Sequence, residues 1–561
     1  MGERDDVGAA QSAAAGAEKG SRGARTGQMR IAMSRILKTV LMLAGVALLT
    51  FFGVRIYDSQ RGAPLEPWHN FAPREMTADE LDHADWRAYL DKEEEIFQSV
   101  RANVTEKLPE ADQVPFNRYY ALSPVYPPRF AQDWNRSYLL LPSGAPLGAV
   151  VLLHGLTDSP YSLRHIGARY RDHGFVVVAI RNSAHGTTPA ALSRTDWETW
   201  LAATRLAVRE ARRLAPKPLP LHIVGFSNGG SLALKYALDA LENETLDRPD
   251  DLILISPMVG ITRFARFAGL AGLPAFLPAF AKAAWLSVLP EFNPFKYNSF
   301  PVNGARQSYR LTHALQTQIS KLEREGRLTA LAPILTFQSV MDFTVSTPAV
   351  VSGLYSHLPA NGSELVLYDA NRNAKFGPLL RPSAETALSR LMPPELRNYR
   401  LTLITNAGEG TDDAVERVTE PGSTTERRRA LGLAYPNGVF SLSHVALPFP
   451  LTDSLYGLTP DSSEDFGMHL GALPLRGERG TLIVSLDALL RMSSNPFFPY
   501  LAARIEEQLP SLPRIEPYEA VKEPAKPHEP STASPPPPSE RSRRLSAPAS
   551  RGPSQPSRQP R

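Results

Sequence analysis

The stretch that most constrains this chain is Gly225-Phe226-Ser227-Asn228-Gly229-Gly230. It follows the apolar run 219–224 and precedes residues 231–238, which are spaced like a helix. Together they predict a strand, a sharp turn with Ser227 at its apex, and a helix: a nucleophile elbow. Gly225 and Gly229 are mechanically required in such a turn. Strand and helix backbones approach so closely that a Cβ at either position clashes, and the serine itself is strained. The elbow lifts the Ser227 hydroxyl clear of the sheet, and the helix N-terminus beneath it favours negative charge.

Around this stretch, strand and helix patterns alternate, which is the signature of a parallel sheet covered by helices on both faces. Strands are expected at 149–153, 175–180, 219–224, 251–255, 333–337 and 364–368, and helices at 161–173, 197–214, 229–241 and 347–357. Continuous apolar runs such as Val150-Val151-Leu152-Leu153 fit strands buried on both faces. Two opening strands are expected at 116–121 and 136–141. A Phe- and Leu-rich, Pro-broken excursion at about 263–328 reads as a cap laid over the site. A second insertion, at about 371–440, contains the strand-like run 400–404.

The ends differ from this centre. Residues 1–34 lack an apolar period and read as a disordered, cytoplasmic N-terminus. Residues 35–57 surround an uncharged run from Thr39 to Val54 and read as an uncleaved transmembrane signal anchor. Arg22, Arg25, Arg30, Arg35 and Lys38 precede it, so the N-terminus is expected in the cytoplasm and the remainder across the membrane, periplasmic in a bacterium. Residues 58–115 read as a membrane-proximal helical segment, with a capping box at Thr77-Ala78-Asp79-Glu80. Residues 511–561 form a Pro-, Ser- and Arg-rich tail expected to be disordered. The main domain is thus 116–510. A balance of 61 basic and 57 acidic residues argues against nucleic acid as a partner. The absence of cysteine excludes disulfides, Cys-based metal sites and a Cys nucleophile. No metal or cofactor motif is legible, and the acidic run 461–465 reads as a solvated turn.

Three motifs carry a resemblance. They are Val150-Val151-Leu152-Leu153-His154-Gly155-Leu156, the Ser227 elbow, and Val340-Met341-Asp342-Phe343-Thr344-Val345 after a strand. With His185-Gly186-Thr187, they make residues 116–510 resemble an α/β-hydrolase-fold serine hydrolase of the monoacylglycerol lipase, lysophospholipase and serine aminopeptidase group. A serine hydroxyl needs a base within reach and an acid to orient that base. In this fold the order is Ser, acid, His. Asp342 is the expected acid, with Asp369 in reserve. Among the later histidines, His357 falls in a helix pattern and His528 in the tail, so His444 is assigned as the base ahead of His469. The resemblance places a histidine soon after the last strand, where this chain reads Tyr368-Asp369-Ala370-Asn371 instead. It also implies that the backbone amides of Leu156 and Asn228 form the oxyanion hole, with His154 shaping the loop and His185 behind it.

The expected function is a membrane-anchored serine hydrolase of acyl or lipid esters, without a cofactor. A serine peptidase would need a cap carboxylate to hold a substrate amine, for which Glu291, Glu323 and Glu325 are available. A non-catalytic membrane scaffold is the alternative from a different class.

Overall fold

A computed structural model describes residues 33–54, 56–57, 63–260, 275, 278–392, 396–473 and 490–510. The expectations for residues 1–32 and 511–561, and for most of the first part of the cap, lie outside these.

The centre is a ten-stranded sheet with strands β1 (Tyr138–Leu140), β2 (Gly148–Leu153), β3 (Phe175–Ile180), β4 (Leu221–Phe226), β5 (Asp251–Ile255), β8 (Ile334–Ser339), β9 (Glu364–Tyr368), β10 (Arg400–Asn406), β11 (Asp413–Thr419) and β12 (Glu426–Ala434). Two short strands, β6 (Trp285–Ser287) and β7 (Phe300–Pro301), pair separately. The sheet order is β1-β3-β2-β4-β5-β8-β9-β10-β11-β12. From β3 to β10 every neighbouring pair is parallel, while β1 and the β10–β12 meander close the two edges antiparallel.

Period-two alternation divides the core into two layers. Ala149, Val151 and Leu153 of β2 face one cluster, and Val150 and Leu152 face the other. The first layer is covered by helices α4 (Trp197–Leu214), α5 (Asn228–Glu242) and α6 (Val302–Arg324). The second is covered by α3 (Arg164–Asp172) and α7 (Phe498–Glu506). This is the α/β-hydrolase fold, with a mostly parallel sheet and helices on both faces.

Three boundaries differ from expectation. Residues 116–121 form turns rather than a strand. Asn117, Arg118 and Tyr119 are buried there by side-chain hydrogen bonds, with Arg118 reaching Asn293 O at 3.2 Å and Tyr119 donating to Thr187 O at 2.9 Å. The cap is shorter than 263–328, because from Val302 the chain is α6, whose Leu311, Leu315, Ile319 and Leu322 belong to the main core. The insertion after β9 holds more sheet than its one strand-like run suggested: its later part adds β10, β11 and β12.

The segment preceding the sheet is built into it. The capping box forms, with Thr77 N–H donating to Glu80 Oε2 at 2.8 Å and Glu80 N–H to Thr77 Oγ1 at 3.2 Å. Helix α2 (Trp86–Asn103) follows, and Leu81, Trp86 and Tyr89 pack in the same cluster as α4. Arg181, one residue beyond β3, is buried and ion-paired to Glu75 at 2.9 Å and to Glu93 at 3.1 Å. Helix α1 (Met33–Val54) is different. Its mean hydropathy is 2.0 and none of it is buried. At 1.5 Å per residue it spans about 33 Å, enough to cross a hydrocarbon core of about 30 Å.

Candidate active site

Ser227 stands where β4 ends and α5 begins, with φ 55° and ψ −116°. A positive φ in a non-glycine residue is costly and persists only where the surroundings impose it. Here Ser227 N–H donates to Ile255 O at 2.9 Å, and Ser227 O accepts from Met258 N–H at 3.0 Å. The flanking glycines are enforced by contact. A Cβ on Gly225 would lie 2.4 Å from Gly229 O. One on Gly229 would lie 1.9 Å from Leu153 O, so the second glycine is demanded by the neighbouring strand β2 rather than by β4.

Asp342 lies on the loop following β8, with no exposed side-chain surface. Its Oδ1 accepts the Thr344 and Val345 N–H groups at 2.8 and 3.0 Å. Its Oδ2 accepts His444 Nδ1–H at 2.9 Å and Gln338 Nε2–H at 3.1 Å. Burial alone would raise this carboxyl, but the attraction of His444 and the bonds from His444, Val345 and Thr344 hold it below its ordinary value. His444 is buried, and its ring stacks on Phe226, the residue before Ser227, with centroids 5.2 Å apart. With Nδ1 bound to the acid, Nε2 is the ring nitrogen left to accept a proton.

The route by which His444 arrives was hidden in the sequence. Asn371, just past β9, donates from its N–H to Phe440 O at 2.8 Å and from Nδ2 to Val439 O at 2.9 Å. Ser339, at the end of β8, donates from Oγ to Leu442 O at 3.0 Å. Two strand ends therefore hold the strap that carries His444. The other candidates have different partners. Asp369 is paired with Arg372 at 2.8 Å and accepts from Thr405 at 3.1 Å. His469 Nδ1 meets Ser454 O at 2.8 Å, and His357 pairs with Glu323. His528 lies outside the described residues.

The loop after β2 supplies the other wall. Gly155 is so close to the elbow that a Cβ there would meet Ser227 Cβ at 3.3 Å. His154 Nδ1–H donates to Gly155 O at 2.9 Å and Nε2 accepts from Asn182 N–H at 3.0 Å, so this imidazole is neutral and fully used in shaping the loop. Burial pushes His154 well below its ordinary pKa, and pushes its neighbour His185 down to about 4. Leu156 follows, and Asn228 opens α5, where a first-turn N–H has no acceptor within the helix.

Behind this wall lies a buried ionic knot that no sequence pattern announces. Asp453 accepts from Arg164 at 2.6 Å, from His165 at 2.9 Å and from Tyr161 at 2.9 Å. Burial would raise its pKa, but Arg164 and then His165 hold it far below the carboxylate range. The partners are 289 residues apart in Arg164 and Asp453. The knot ties the chain just after the Leu156 loop to the chain just after His444. Glu464 of the acidic turn also pairs with Arg164, at 3.2 Å.

Residues 144–372 match the protein-family model of the serine aminopeptidase S33 hydrolases. The matched span includes Ser227 and Asp342 and ends before His444. A thermostable monoacylglycerol lipase from Bacillus sp. (strain H-257) is 26% identical over 227 residues, 39% of this chain and 80% of that protein. Among solved structures, the monoglyceride lipase of Saccharomyces cerevisiae, in a complex with a substrate analogue, is 17% identical over 41% of this chain and 81% of its own, with a TM-score of 0.32. A carboxyl esterase from Bacillus coagulans is 15% identical over 42% and 87%, with a TM-score of 0.31. The chain is an α/β-hydrolase-fold serine hydrolase of the esterase and lipase kind, similar to the monoacylglycerol lipase and serine aminopeptidase group.

Proposed function

We propose that this protein hydrolyses acyl esters through Ser227, His444 and Asp342 while anchored to a membrane by α1. The observation that carries the reading is the 2.9 Å bond from His444 to Asp342, formed with the imidazole against the residue preceding a strained Ser227.

In this mechanism His444 Nε2 takes the Ser227 Oγ proton as the oxygen attacks the ester carbonyl. Asp342 holds the ring in the required tautomer and stabilises the imidazolium that forms. The amides of Leu156 and Asn228 donate to the oxyanion, and losing one such donor typically costs about 3 kcal/mol in the barrier. Collapse returns the proton to the departing alcohol and leaves an acyl-Ser227, which water attacks with His444 again as base.

The choice of ester over peptide rests on the cap carboxylates. Glu291 is buried and accepts the Ser299 and Asn298 N–H groups at 2.8 and 3.0 Å, so it is committed inside the protein. Glu323 and Glu325 pair with His357 and Arg327 at the end of α6. None of the three offers a free carboxylate to a substrate amine. The apolar, exposed α1 supports the anchor, and the basic residues before it support a cytoplasmic N-terminus with the hydrolase across the membrane.

A fluorophosphonate probe tests the reading. Wild type is expected to label, and Ser227→Ala and His444→Ala are expected not to. An unlabelled wild type defeats the enzyme reading, and a His444→Ala protein that labels and turns over normally defeats the assignment of the base. Extraction of the full chain from membranes by detergent but not by high salt tests the anchor.

A further inference from the structure

The segment between α1 and the sheet reaches the active site from behind. Arg181, one residue past β3, is 1% exposed, and two carboxylates of that segment hold its guanidinium. Nη1 and Nη2 donate to the two oxygens of Glu75 at 2.9 and 3.0 Å, and Nε donates to Glu93 Oε1 at 3.1 Å. Glu75 stands just before the Thr77 capping box, and Glu93 lies on α2. The Arg181 backbone is gripped as well. Tyr89 of α2 donates to its carbonyl at 2.9 Å, and Ser137 Oγ accepts its N–H at 2.8 Å while donating to Glu93 at 2.8 Å.

From Arg181 the contacts run on to the loop after β2. Nη1 also donates to His185 O at 3.0 Å, so the guanidinium bridges Glu75 and the turn 181–185. Asn182 donates its N–H to His154 Nε2 at 3.0 Å, and the His185 ring meets His154 edge-on with centroids 5.1 Å apart. His154 Nδ1–H donates to Gly155 O at 2.9 Å. Gly155 lies against the elbow, where a Cβ would stand 3.3 Å from Ser227 Cβ, and Leu156 is the next residue.

A buried guanidinium needs its carboxylates, because removing one leaves a charge uncompensated inside the protein. The planar fork also sets direction, since two parallel bonds to one carboxylate fix the orientation of both groups. A loop held in this way keeps its amides aimed at the developing oxyanion, and a misplacement of about 1 Å at such a site can cost about 100-fold in rate.

We propose that Glu75 and Glu93 are positioning residues for the oxyanion loop, acting through Arg181 and His154, so that the segment joining α1 to the sheet serves the reaction as well as the tether. This rests on the hydrolase reading above and extends it to residues far from Ser227 in the chain.

The test uses the full chain in neutral detergent micelles, with active sites counted by exhaustive fluorophosphonate labelling so that unfolded protein does not enter kcat. The substrate is p-nitrophenyl decanoate. The oxyanion probe is a trifluoromethyl ketone of like chain length, to which Ser227 adds as a tetrahedral adduct. Glu75→Gln is expected to lower kcat per titrated site by about 10–100-fold with KM within about twofold. It should weaken the ketone by the same factor as kcat/KM, as a group that acts only in the tetrahedral state requires. Arg181→Lys keeps the charge and loses the fork, so a loss in the same direction is expected, and it decides the matter if Glu75→Gln does not fold. Asp82→Asn is the control. It breaks the 2.6 Å pair between the same segment and Arg205 of α4, and both readouts should stay at the wild-type value. A Glu75→Gln or Arg181→Lys protein that melts earlier yet keeps kcat and ketone affinity per titrated site overturns the positioning role. Equal losses in Asp82→Asn overturn it too, since any loosening of the segment would then suffice. A wild type that neither labels nor turns over defeats the hydrolase reading itself, and the positioning role falls with it.

Discussion

Ser227 and Asp342 stand within a few residues of the ends of β4 and β8, whereas His444 reaches them only after four further strands and a strap. The first region is held by its own backbone. Gly229 cannot bear a side chain because Leu153 O is in the way, and Asp342 is bonded by amides of its own loop. The second region is held by side chains from elsewhere: Asn371 and Ser339 on the strap, and Arg164 on Asp453 behind it. A local device survives in a short motif, while a distributed one leaves no pattern to read.

If the two regions work as one catalytic unit, removing either end should cost alike. Ser227→Ala and His444→Ala are each expected to lower kcat by 10⁴–10⁶-fold, on the order seen when members of such a triad are removed, and the double variant should cost little more than either. Additive losses would separate the base from the elbow.

Next in size is the knot behind the site. Asp453→Ala leaves Arg164 buried without its 2.6 Å partner, so chemical denaturation should show a loss of about 3–5 kcal/mol. A loss below about 1 kcal/mol would mean that the second region does not depend on this clamp.

Asn371→Ala should act on the strap rather than on the chemistry. A base displaced by a fraction of an ångström predicts a fall in kcat of about 10–100-fold with little change in KM. A variant with unchanged kcat would show that Ser339 and the Asp342 bond position His444 without it.

The smallest effect is expected from pH. The folded pKa values of Asp342 and Asp453 are depressed, so their contributions are present above the unfolded value of about 4 and are lost as pH falls through the folded values. Stability should therefore decline below about pH 4, and Asp342→Asn should flatten that decline as well as abolish turnover. An unchanged acid limb would place the sensitivity in other carboxylates.

Much of the first region was legible because its constraints are local. The elbow glycines, the strands with continuous apolar runs and the Thr77 capping box each follow from residues a few positions apart. Misreadings fell where distant partners decide the outcome. Residues 116–121 look extended, but Arg118 and Tyr119 are held in turns by Asn293 and Thr187. The cap ran too long in the sequence because α6 continues without a break in polarity, and only its packing on α5 and α4 shows which layer it joins.

The sequence by itself determined the fold class and the sharp strand-to-helix turn with Ser227 at its apex, because backbone sterics and hydrophobic periodicity act over short distances. Tertiary structure alone decided that Asn371 holds the strap at the place where a histidine was expected, and that His444 meets Asp342 there. Such meetings between distant residues depend on how loops fold back over strand ends, and no spacing along the chain encodes that distance.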